Sequence, residues 1–84
     1  MAARRKRVRV VERKLGRERA VGQHWTGEHL IEIDHRQRPK PYLNTLIHEL
    51  LHETFPKASH SHVYRAAGVI TDALWSQNFR RTVQ

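Results

Sequence analysis

His48 and His52 lie four residues apart in the segment LIHELLHETFP, Leu46 to Pro56, and Glu49 directly follows the first of them. On a helix, residues four apart stand one above the other, about 40° apart around the axis. Two imidazoles in that relation can both reach one divalent ion. A carboxylate next to the first is turned aside, where it can address water at the ion without ligating it. The bland alternative is a pair of exposed helical histidines. Its neighbours weigh against it: Leu43, Leu46, Ile47, Leu50 and Leu51 place an apolar face on another side of the same helix. The chain has no cysteine, so thiolate sites and disulfides are excluded. A bound metal has to be held by His, Asp or Glu.

A zinc ion that keeps one position open takes three protein ligands. His60 lies three residues before Val63 and seven before Ala67, on the side of a second helix that packs against the first. His62 is rotated to the flank of that stripe and reads as a solvent-exposed first-turn side chain, the second choice. Asp72 points nearly opposite. His24, His29 and His35 read as surface or strand-end residues, with His35 close enough to touch a substrate. The expected centre is therefore Zn2+ held by His48, His52 and His60, with Glu49 as general base. Glu49 would take a proton from water attacking a peptide carbonyl and return it to the leaving amine. Tyr42 and Tyr64 read as partly buried aromatics.

The elements that must position these residues follow from periodicity and punctuation. RVRVV, residues 7 to 11, alternates charge with valine as a half-buried strand does. A second short strand or an irregular loop follows, around the glycines at 16 and 22. HLIEID, 29 to 34, turns Ile31 and Ile33 one way and Glu32 and Asp34 the other. That predicts a strand with a solvent-facing side at a sheet edge, free to pair with an extended substrate. Pro41 predicts the start of the first helix, and Pro56 stops it near Thr54. Ser59 is the expected N-cap of a second helix. That helix has the stripe Val63, Ala66, Ala67, Ile70 and Leu74 and runs to about Asn78. Trp75 and Phe79 are expected to cap the core. The order predicts an α+β fold: a small antiparallel or mixed sheet of two to three strands followed by two helices. With 84 residues, no repeat and no linker, residues 1–84 read as a single domain.

Sixteen Lys and Arg against eight Asp and Glu give +8, and seven of the cations fall within the first fourteen residues. A basic arm over about residues 1–7 could hold nucleic acid or an acidic partner, although a solvated arm is the plainer reading. No aromatic interleaves with those cations before Trp25, so a base-stacking platform is not expected. No apolar run reaches the length of a membrane span or a signal-peptide core, and a cytoplasmic protein is expected.

The run IEIDHRQ...YLNTLIHELLHETFP...V...A...I...LW...FRR resembles the very small H-E-x-x-H zinc peptidases, related to gluzincins, of phage, prophage and bacterial genomes. The resemblance covers residues 29 to 81 and implies a minimal zincin fold, a zinc cofactor and a peptide or protein substrate. In that family the third ligand is typically a glutamate soon after the proline. Here His60, in PKASHSHV, occupies that motif position. A second function class stays in view: a zinc-stapled regulatory module that binds nucleic acid through the basic arm.

Overall fold

The alternation in LIEID builds the centre of the sheet, not its edge. The computed structural model describes residues 7–15, 21–25 and 27–81; most of the expected basic arm, residues 1–6, lies outside them. Three strands, β1 (Arg9–Arg13), β2 (Gly22–Trp25) and β3 (Leu30–Asp34), precede two helices, α1 (Pro39–Thr54) and α2 (His60–Ser76). The strand order is β1-β3-β2, with β1 parallel and β2 antiparallel to β3. The chain is thus an α+β protein with a small mixed sheet.

Because side chains alternate between faces, the register sorts them. Val10, Ile31 and His24 share one face with Glu12, Ile33 and Gly22, and α1 lies on that face. Ile31 and Ile33 are fully buried there beside the largely buried Tyr42, and Val8, Leu46 and Leu50 pack around them. On the opposite face Glu32 and Asp34 are also buried, at 6% and 5% exposure. Solvent was expected on that side. The correction follows from the central position of β3, whose neighbours on both sides lay polar side chains over it. Glu32 Oε1 accepts from Trp25 Nε1 at 2.7 Å and from Gln23 Nε2 at 2.8 Å, and Glu32 also pairs with Arg13. Those donors, Trp25 first, hold its carboxyl below the usual range. Asp34 accepts from Arg36 Nε at 2.9 Å and from the Leu15 amide at 2.9 Å. The Arg36 guanidinium is the main reason its carboxyl lies far below the ordinary carboxylate value. With β3 paired on both edges, a substrate cannot add to it.

The simplest packing of the expected elements sets both helices on the sheet, and the structure departs from it. Only α1 covers the sheet, and α2 packs on α1. Three strands about 4.8 Å apart offer roughly one helix diameter of width, so a second helix has nowhere to lie on them. α1 begins at Pro39 instead of Pro41, with Tyr42 N bonded to Arg38 O. Both prolines sit in the first turn, where amides lack intrahelical partners anyway. Ser59 caps α2 by accepting from the His62 amide at 3.1 Å. α2 ends earlier than Asn78, because Asn78 takes a left-handed φ of 65°. The Asn78 and Phe79 amides then close on Trp75 O and Leu74 O, the bonding of a Schellman end. Phe79 is 61% exposed and Ile70 is exposed as well, so neither seals the core; Thr71, at 3%, takes the buried place. No helix among the described residues is long and apolar enough to cross a membrane.

Candidate metal centre

Position around α1 decides which of its residues meet what. Tyr42, Leu46, Glu49 and Glu53 lie toward the sheet, and Ile47 and Leu51 toward α2. His48 and His52 fall in the groove left between α2 and β2. The Ser59 cap starts α2 so that His60 is its first residue, at the mouth of that groove. One ring nitrogen from each of His48, His52 and His60 lies within 4.8 Å of the others. His48 Nε2 and His52 Nε2 are 3.1 Å apart. Zinc–nitrogen bonds of about 2.0–2.1 Å in a tetrahedron separate ligands by about 3.3 Å, so this pair is already at chelating distance. His60 is exposed and has the rotamer freedom to close the rest. Burial, first of all, lowers the pKa of both His48 and His52, and mutual repulsion among the imidazoles adds to it. Neutral imidazole is the ligand form, so the donor set fits a borderline divalent ion such as zinc.

Glu49 is buried at 9% exposure on the sheet side of this stripe. His24, on the helix-facing side of β2, brings Nδ1 to 3.4 Å from Glu49 Oε1 and stacks on His52 with ring centroids 5.7 Å apart. Its expected place at the surface is thus corrected: it is half-buried against the centre. The signal was Gly22, two residues before it and on the same face. Glycine in a strand often marks close backbone approach, and a Cβ at Gly22 would run into Thr45 Cγ2 and lie 3.3 Å from Glu49 Cγ. Asn44 was also missed, one turn before His48. Its Oδ1 accepts from Thr71 Oγ1 at 3.1 Å, and the residue lines the cleft.

The cleft measures about 270 Å3 and is lined by Val21, Asn44, Thr45, His48, Glu49, His60 and Tyr64. Tyr64 is 68% exposed, not partly buried, and its ring centre stands 6.5 Å from that of His48. The other residues weighed for the site lie elsewhere. His62 is exposed and rims a separate apolar hollow with Leu51, Phe55 and Val63. Asp72 pairs with Lys40 at 3.1 Å. His29, at a left-handed φ of 51°, bonds Glu53 Oε2 at 2.7 Å, and His35 is exposed. Tyr42 is buried in the core beside Glu12. Comparison with protein-family models, curated proteins and solved structures returns no match. The functional reading therefore rests on the site alone.

Proposed function

We propose that this chain is a minimal H-E-x-x-H zinc metallopeptidase, acting on peptide or protein substrates in the cytoplasm. The observation that carries the reading is the convergence of three imidazoles from two helices beside a buried carboxylate, in an open cleft. His48, His52 and His60 would hold the zinc, which when bound polarises a carbonyl and acidifies water. Glu49 is neither among those ligands nor solvated. It accepts the proton of the attacking water and passes it to the departing amine, so the carboxylate ends the cycle as it began. His24 Nδ1 lies 3.4 Å from Glu49 Oε1, and the His24 ring stacks on the His52 ring. At about 270 Å3 the cleft is smaller than the roughly 300–1,000 Å3 of small-molecule sites, which suits recognition of a short stretch of a longer chain.

The deciding experiment pairs metal analysis with proteolysis of an unstructured protein such as denatured casein. Wild type should carry one zinc per chain and cleave. Glu49→Gln should keep the zinc and lose cleavage. Equal cleavage by wild type and Glu49→Gln, or a wild-type protein that holds no zinc, would reject the proposal.

A further inference from the structure

The charge of this chain is concentrated in one stretch of its sequence. Residues 4–19 carry nine Lys or Arg against two Glu, a surplus of seven out of the chain's +8. That segment is β1 with its flanks, and β1 is a sheet edge, paired only to β3. Within the segment Glu12 pairs with Arg81, and elsewhere Glu32 pairs with Arg13, Asp34 with Arg36 and Asp72 with Lys40. Among the described residues Arg7, Arg9 and Lys14 have no carboxylate partner and are exposed.

Folding supplies the aromatic that the linear sequence separates from these cations. Arg9 and Trp25 both pair with Leu30, from opposite sides, so all three side chains share one row of the face turned away from α1. Two strand spacings, about 10 Å, separate Arg9 from Trp25. The Trp25 ring is 45% exposed, and its Nε1 bond to Glu32 fixes its orientation. No helix among the described residues covers this face. Beside it, Arg7, Arg9 and His29, together with Val8, Val10 and Glu28, line a hollow of about 700 Å3.

We infer that this open sheet face binds single-stranded nucleic acid, with phosphates along β1 at Arg7 and Arg9 and an unpaired base stacked on Trp25. A flat face with an exposed indole suits an unstacked base, and no helix among the described residues is basic enough to enter a duplex groove. The site is on the other side of the sheet from the metal centre and does not depend on the peptidase reading.

Fluorescence anisotropy of a labelled oligothymidylate of about 12 nucleotides tests it. Binding should weaken about 7-fold between about 50 and 200 mM salt, as two phosphate contacts require. Trp25→Leu should weaken it about 5- to 150-fold, and the double variant Arg7→Glu/Arg9→Glu should weaken it and flatten the salt dependence. Because Trp25→Leu removes a bond to Glu32, the double variant, which touches only exposed side chains, decides the matter if the first fails to fold. Chelation and Glu49→Gln should leave affinity unchanged. No binding at low salt, or undiminished binding by the double variant, would overturn the inference. Displacement of the oligonucleotide by polyglutamate with Trp25 indifferent would overturn it in favour of an acidic protein partner.

Discussion

Gly22→Ala is the sharpest probe of how β2 and α1 build the centre together. Gly22 carries no positive φ that would strain an alanine, so the substitution tests space alone. The added methyl would overlap Thr45 Cγ2 and stand 3.3 Å from Glu49 Cγ and 3.5 Å from Glu49 Oε2. Thr45 cannot yield freely, since it is buried and donates to Gln37 Oε1 at 2.9 Å. Overpacking of this kind costs about 1–3 kcal/mol, and alanine recovers about 0.5–1 kcal/mol of backbone entropy. The net is a loss of up to about 2.5 kcal/mol, or up to about 20 °C in Tm for a domain of this size. Gly68→Ala is the control: nothing lies within 4 Å of its Cβ position in α2, so it should gain about 0.5–1 kcal/mol. Thermal melts of the zinc-free proteins read both. If Glu49 is the base, a displacement of about 1 Å also lowers kcat about 100-fold, while zinc affinity, set by the histidines, barely changes. A Gly22→Ala protein that melts at or above wild type would refute the packing argument.

Three further outcomes follow from the same geometry. His60→Ala should weaken zinc binding by more than the roughly 10- to 100-fold typical of residues behind the ligands, while His62→Ala leaves it unchanged in a competitive chelator titration. Removing zinc from protein held at about 100 times its Kd should cost about 2.7 kcal/mol, lowering Tm by about 11–22 °C. In the zinc-free protein the lowered pKa values of His48 and His52 mean that the unfolded chain takes up protons first as pH falls below about 6.5. Their contribution is complete above that pH and is lost as pH falls through the folded values. Tm should therefore decline from pH 7 to 5, and a flat profile would contradict it.

What was legible in the sequence was what is local. His48, Glu49 and His52 fall on one helix whose period is fixed. His60 follows a serine that caps the next helix, so its place is set within a few residues. The alternation in β3 was equally plain, and Ile31 and Ile33 face the core as it requires. Equating its polar side with solvent failed, because Glu32 and Asp34 are buried by residues from β1, β2 and the turn at Arg36. Strand order is a property of the whole sheet, and nothing in LIEID states which strands flank it.

The same distinction separates the ligand set from the residues that would shape its chemistry. A helical motif can hold an ion wherever its helix is stable, but a lone carboxylate beside it is free to turn. Here the carboxylate is buried by the approach of a different strand, which needs Gly22 to come close and brings His24 against both Glu49 and His52. Asn44 is held from α2 by Thr71. Each of these contacts spans elements distant in sequence, so none leaves a periodic trace. In a chain with so small a sheet, α1 must serve as both core helix and site helix. Thr45 and Glu49 therefore occupy buried positions that apolar side chains would otherwise fill. Burying polar groups there costs free energy unless they are bonded, and retaining them sets a requirement on the neighbours at positions 22, 24 and 37. The placement of the Glu49 carboxylate should accordingly respond more to those neighbours than to the length or helicity of the segment that carries the motif.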